Sequence, residues 1–250
     1  MSGHSKWSTI KRKKGAADAK RGKVFTKVIK ELTVAAKLGG GDPDGNPRLR
    51  SAIALAKSCN MPNDNITRAI KKGTGELEGI TYDELLYEGV GPAGILFIVE
   101  VMTDNRNRTA AEVRKMFSKF GGELGASGSA TWAFDHKGVL RIAADAATED
   151  ELFEIAVGAG AEDLQVVDDQ WMITTARDGL EPVREALESA GHENVEAKLE
   201  RIPKNPKEVD ITAGKKLLNL FEALDDHDDV QNVFTDFELS DESLAALEES

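Results

Sequence analysis

One cysteine, Cys59, is all the thiol chemistry the sequence holds. A lone thiol forms neither an intramolecular disulfide nor a thiolate-based zinc site, so a reducing compartment is expected and redox chemistry is not. No apolar run nears the roughly 18 residues that a membrane-spanning helix needs. The cationic N-terminus is not followed by the apolar stretch of a signal peptide, so the expected address is the cytoplasm, with no membrane partner. The histidines His4, His136, His192 and His227 fall in different segments, and none forms a His-x-x-x-His or Glu-x-x-His pair. That removes the common helical metal site and the common general base. No nucleophile–base constellation is visible either. The expectation is a protein with no catalytic residue, no metal and no cofactor, and therefore not an enzyme.

What is present is charge, unevenly placed. The formal net charge is -12, yet residues 1–75 hold 17 Lys/Arg against 5 Asp/Glu, while residues 76–250 hold 15 against 39. Such asymmetry within one chain marks a segment that faces nucleic acid, joined to parts that do not. Residues 139–203, with 5 cations and 16 acids, repel phosphate.

Residues 1–15 are polar and basic, with Gly3 and Gly15, and read as a flexible arm. From about Ala16 the spacing of Phe25, Val28, Ile29, Leu32 and Ala36 predicts one apolar helix face. Lys20, Lys23, Lys27 and Lys30 project from the opposite side as a cationic ridge. The run "GGGDPDGNP", residues 39–47, must be a loop, with Asn46 and Pro47 starting the next helix. Leu49, Ala52, Ile53 and Ala56 form a second apolar stripe, and Ile66, Ala69 and Ile70 a third. Lys71, Lys72 and Gly73 close that last helix in the manner that suits its dipole. A small all-helical domain over residues 1–77 follows.

Beyond residue 78 the register changes. Residues 94–102 read as a buried strand, 109–120 as a helix in which Thr109 and Glu112 have capping-box spacing, and 130–134 as another strand. Strand 138–143, helix 148–158, strands 163–167 and 171–175, helix 179–190 and strand 194–201 make the β-α-β-β-α-β order of a ferredoxin-like domain. Helix 210–224 and strand 230–238 cannot bury their apolar faces alone. Joined to 94–134 they complete a second unit of similar plan. The expected architecture is therefore multidomain, α and α+β: a basic helical domain (1–77) followed by two ferredoxin-like α+β domains. One of these, 138–203, is acidic and inserted into the other (78–137 plus 204–239), and an acidic tail covers 240–250.

The candidate nucleic-acid ligands are Lys6, Lys11, Arg12, Lys13, Lys14, Lys20, Arg21, Lys23, Lys27 and Lys30, whose cations contact phosphates and release counterions without reading sequence. Trp7, amid the arm's cations, either stacks on an exposed base or anchors the arm on the helical domain. A secondary basic spot comprises Arg106, Arg108, Arg114 and Lys115, near a helix start that suits a phosphate; pairing on the helix surface accounts for the same residues. "GVGPAG", residues 89–94, matches G-x-G-x-x-G, but it precedes a strand and contains Pro92, so it reads as a turn and not as a dinucleotide site. "DDHDD", residues 225–229, lacks the ligand spacing of a calcium loop and reads as a solvated turn.

Together "GHSKW", "KRGKVFTK", "AAKLGGGDPDGNPRLR", "NMPNDNITRAIKKG", "YEGVGPAG", "TDNRNRT" and "VFTDFE" resemble the YebC/PmpR family, which includes the mitochondrial translational activator of cytochrome oxidase; the resemblance spans residues 2 to about 239. It implies three domains, a helical one and two α+β ones with one inserted, and no enzymatic activity. It also implies gene regulation, either by binding DNA or by acting on the translating ribosome to relieve stalling. The first expectation is a ribosome-associated factor that contacts ribosomal RNA. A duplex-DNA-binding transcriptional regulator is the alternative, and a module whose acidic domains bind basic proteins is the third.

Overall fold

The computed structural model describes residues 17–167, 169–192 and 195–240, with side chains from Gly22 onward. Residues 1–16 and 241–250 lie outside these, and with them the expected arm and acidic tail. Three helices come first: α1 (Ala17–Gly39), α2 (Pro47–Ser58) and α3 (Asn63–Gly73). Their stripes meet as the periodicity predicts, with Val28, Leu32, Ala35, Ala36, Leu49, Ala52, Ala56, Met61, Ile66 and Ala69 in one buried cluster and Phe25, Ile29, Ile53 and Ile70 at its edge. Asn46 caps α2 as expected: its side-chain oxygen accepts from the Leu49 N–H at 3.1 Å, while its amide donates to the Ala35 and Gly40 carbonyls at 2.8 and 2.9 Å. One side chain thus ties the end of one helix to the start of the next.

Close packing of α1 on α3 requires Gly73. A Cβ there would run into the Thr33 carbonyl oxygen and come within 2.8 Å of the Ala36 Cβ. Gly73→Ala is therefore expected to cost about 1–3 kcal/mol, as overpacking does. It should appear as a lower urea midpoint with an unchanged slope.

The first sheet has the order β3-β1-β2-β9, from β1 (Asp83–Val90), β2 (Leu96–Thr103), β3 (Glu123–Leu124) and β9 (Val230–Thr235). Helices α4 (Arg106–Lys119) and α7 (Ile211–Asp225) accompany it. The second sheet has the order β5-β6-β4-β7, from β4 (Phe134–Ala143), β5 (Ala161–Val167), β6 (Gln170–Thr175) and β7 (Glu196–Pro203), with α5 (Glu149–Gly158) and α6 (Leu180–Ser189). That is the ferredoxin-like arrangement expected of the inserted segment. Its core joins Leu140, Ile142, Trp171 and Ile173 of the sheet to Leu152, Ala156, Val183 and Leu187 of the helices.

Three local expectations are corrected. Strand β1 was not foreseen, because its charged residues Asp83, Glu84 and Glu88 mask the alternation of a strand. Residues 131–133 form a short 3-10 turn, and the strand after it, β4, belongs to the second sheet. Residues 230–238 are two strands: Asp236 separates β9 from β10 (Phe237–Leu239), which pairs in parallel with β8 (Lys207–Val209).

"GVGPAG" is the hairpin turn between β1 and β2, closed by the Gly91 N–H donating to the Ile95 carbonyl at 2.7 Å. The capping box is also corrected. Helix α4 begins earlier, capped by the Asn105 side chain accepting from the Arg108 N–H, so Thr109 lies inside it.

Compactness divides the chain into two units. Among the described residues, one comprises 17–131 with Asp210–Thr235, and the other comprises Trp132–Val209, without the undescribed positions inside it, and 236–240. The three helices keep a core of their own and share a unit with the first sheet.

Candidate nucleic-acid interface

Lys23, Lys27 and Lys30 recur at i, i+4 and i+7 and line one stripe of α1, as helical geometry demands. Within their unit that stripe is covered. Lys23 Nζ donates to the Asp226 carbonyl at 3.1 Å and lies 3.2 Å from its carboxylate. Lys27 Nζ donates to the Asp225 carbonyl at 3.0 Å and to its Oδ1 at 3.1 Å. These two residues end α7, where unpaired carbonyls and the negative end of the helix dipole favour a cation.

Lys30 is buried. Its ammonium donates to Asp229 Oδ1 at 2.6 Å, to the Asp228 carbonyl at 2.9 Å and to the Met102 carbonyl at 3.2 Å, which uses all three protons. It also lies 5.4 Å from the centre of the Tyr82 ring, within cation–π range.

Asp229 is the hub beneath the ridge. Its Oδ2 accepts from Thr109 Oγ1 at 2.7 Å, Arg108 Nη2 at 2.8 Å and Thr103 Oγ1 at 3.1 Å. Burial alone would raise its pKa, but hydrogen bonds from Lys30, Thr109 and Arg108 outweigh burial and hold the carboxyl well below the usual carboxylate range. His227 braces the same loop. Its Nδ1 accepts from the Asp229 N–H at 3.0 Å, which leaves the proton on Nε2 to meet Glu112 at 2.8 Å.

The expected ridge is therefore corrected: Lys23, Lys27 and Lys30 are each paired within the protein. "DDHDD" is likewise no merely solvated turn, since it neutralises them. Periodicity reports only a helix's own faces, and the partners lie about 200 residues away in the chain. A signal was available in hindsight: an acidic run long enough to match three lysines spaced along one helix.

Of the other candidates, Lys6, Trp7, Lys11, Arg12, Lys13 and Lys14 lie outside the described residues. Lys20 and Arg21 lie in the first turns of α1, with side chains outside the description. In the secondary spot, Arg106 pairs with Asp83 at 2.8 Å, and Arg108 pairs with Asp104 and Asp229, each at 2.8 Å. Arg114 and Lys115 are exposed.

Two features escape a reading of the sequence. Arg48 meets Glu31 through Nε and Nη2 at 2.7 and 3.0 Å and Glu84 through Nη2 and Nη1 at 2.6 and 3.2 Å, tying the helices to β1. Burial opposes its charge, and the hydrogen bonds that Arg48 donates to Glu31 and Glu84 overcome that and raise its pKa above the usual range. Secondly, Arg68, Lys71 and Lys72 share an exposed face of α3, whereas the sequence pattern gives the two lysines only the closing of a helix. With Lys37 and Lys57, also exposed, they have no ion-pair partner among the described residues.

Among the described residues no group of three or more His, Cys, Asp or Glu is arranged to hold a metal ion. No helix among them is long and apolar enough to cross a membrane.

Comparison with known proteins supplies the context for this geometry. The model of the TACO1/YebC protein N-terminal domain matches residues 5–76, and that of the TACO1/YebC second and third domain matches residues 82–237. A probable transcriptional regulatory protein of Desulfotalea psychrophila is 57% identical over 250 residues, covering all of both chains. Another so named, from Geobacter sulfurreducens, is 54% identical over 247 residues, covering 99% of this chain and 100% of its own. A crystal structure of a conserved hypothetical protein from Aquifex aeolicus superposes with a TM-score of 0.84 at 45% identity, covering 90% of this chain and 93% of that one.

Proposed function

The chain belongs to the TACO1/YebC family, and on that premise we propose that it is a non-enzymatic regulator of gene expression that binds nucleic acid through its N-terminal segment. The relatives' names, probable transcriptional regulatory protein, support the regulatory class. Its site of action in this reading is the translating ribosome in the cytoplasm, where it contacts ribosomal RNA and relieves stalling. The observation that carries the reading is the charge partition, 17 Lys/Arg against 5 Asp/Glu in residues 1–75 and the reverse excess beyond. A molecule polarised in this way is oriented as it approaches a polyanion, with its acidic part turned to solvent or to basic ribosomal proteins.

Since the ridge lysines are engaged within the protein, the first contacts with phosphate fall to the arm cations Lys6, Lys11, Arg12, Lys13 and Lys14 and to the exposed face Arg68, Lys71 and Lys72. An arm suits folded RNA, which offers irregular shape and unstacked bases where duplex DNA offers a uniform groove.

Co-sedimentation with ribosomes at low salt, repeated with residues 1–15 deleted, tests the reading. The full chain should pellet with ribosomes, and the deletion should lose most of that binding. In titrations against single-stranded RNA, removing one cation that touches a phosphate should lower the log–log salt slope by about 0.7. Full ribosome binding by the deletion variant would refute the role of the arm.

Duplex DNA is the second reading, and one observation favours it. Only Cys59–Pro62 separate α2 from α3, with Asn60 at a φ of 57°, a turn as short as that of a helix-turn-helix. The longer connection, residues 40–46, lies between α1 and α2. A footprint confined to one sequence and resistant to competitor DNA would favour this reading over the first.

A further inference from the structure

The contact between α1 and the 225–229 loop is graded from surface to interior. The side chains of Lys23 and Asp226 are 45% and 64% exposed, those of Lys27 and Asp225 22% and 34%, and those of Lys30 and Asp229 7% and 6%. The two outer pairs lie where water and salt weaken them. The inner pair cannot open without stranding a charge in the interior. Along the ridge the loop presents anionic oxygens and carbonyls in succession, as a nucleic-acid backbone presents its phosphates.

We propose that Asp225 and Asp226 stand in for nucleic-acid phosphates, covering Lys23 and Lys27 until single-stranded RNA takes these lysines, while Lys30 and Asp229 stay paired as the fixed end. The exchange favours the nucleic acid because a phosphate bound by lysine sheds condensed counterions, a gain that a lone carboxylate does not provide. An acidic cover also discriminates: a weakly charged ligand leaves it shut, and only a dense line of phosphates competes. Lys23 and Lys27 thereby return to the binding surface as conditional ligands. The inference rests on the reading that the N-terminal segment binds nucleic acid, and it adds the residues that restrain this binding.

The test is a mutant cycle on the full chain, read by fluorescence anisotropy with a labelled oligouridylate at fixed low salt. The four proteins are wild type, Asp225→Asn/Asp226→Asn, Lys23→Gln/Lys27→Gln and the quadruple variant. The asparagines keep the backbone carbonyls and the side-chain shape while removing the negative charge. Asp225→Asn/Asp226→Asn should bind about 5- to 20-fold more tightly than wild type, the range expected for releasing one exposed and one half-buried ion pair. The quadruple variant should bind no more tightly than Lys23→Gln/Lys27→Gln. A gain that survives without the lysines would make it general charge repulsion and overturn the proposal. Wild-type binding with no gain in the asparagine variant would also overturn it, while leaving RNA binding by the N-terminal segment intact. If none of the four proteins binds, that wider reading fails, and the cover fails with it. Asp226→Asn alone, at the most exposed pair, repeats the comparison should the double variant not fold.

Discussion

Asp229→Ala is expected to lower stability by about 3–5 kcal/mol, the cost of removing one partner from a buried ion pair. Lys30 would keep only the Asp228 and Met102 carbonyls for a charge buried within the fold. Arg108, Thr103 and Thr109 would lose their common acceptor as well. Lys30→Met should cost less than Asp229→Ala, because the carboxylate retains those three donors when the ammonium is gone. Chemical denaturation of both variants checks the order, and a loss in Asp229→Ala of under about 1 kcal/mol would mean that water reaches Lys30.

The same carboxyl makes stability acid-sensitive, and the sign is fixed by the direction of its shift. Its pKa in the folded protein lies below the unfolded value, so its contribution is complete above about pH 3.9 and is lost as the pH falls through the folded value. Wild-type stability should therefore fall more steeply below about pH 4 than that of Asp229→Asn, which has no proton to gain there. Parallel acid limbs in the two proteins would show that other carboxylates dominate.

Glu88→Ala should cost about 2–4 kcal/mol, on the scale of leaving buried donors unsatisfied. Glu88 is 3% exposed, and its carboxylate accepts from the Gly128, Ala130 and Thr131 N–H groups at 2.7, 2.6 and 2.8 Å and from Thr131 Oγ1 at 3.1 Å. Burial would raise its pKa, and these backbone donors outweigh burial and lower it. Its contribution is therefore present above the ordinary glutamate range, near pH 4.3, and fades as the pH falls through the lowered folded value. The local signature is amide exchange. Gly128, Ala130 and Thr131 should lose protection in Glu88→Ala while β2 keeps its own, and retained protection at 128–131 would show that the loop holds without the carboxylate.

Much of the architecture is legible in the amino-acid sequence. Two patterns carry it: the 3.6-residue spacing of Val28, Leu32 and Ala36 in α1, and the apolar runs of residues 94–102 and 171–175, each a local property that survives folding. Asn46 was readable as a cap because capping chemistry is local too. Strand β1 was not readable, since Glu88, at the heart of its buried stretch, looks like a surface residue until the loop at 128–131 closes over it. The division of residues 230–238 between two sheets was hidden for a similar reason. At Asp236 the chain leaves β9, and its carbonyl accepts from the Lys207 N–H, distant in sequence, at 2.7 Å.

The candidate site divides along the same line. The amino-acid order alone determined that cations gather in the first 75 residues and acids beyond, and also where the helices and the inserted sheet fall; charge and periodicity are sums over neighbours in the chain. Only the tertiary structure decided that Lys30 is buried, that Lys23 and Lys27 are covered, and that Arg68, Lys71 and Lys72 are exposed. A charge's freedom depends on what lies within a few ångströms of it, and here that is a loop brought from about 200 residues away.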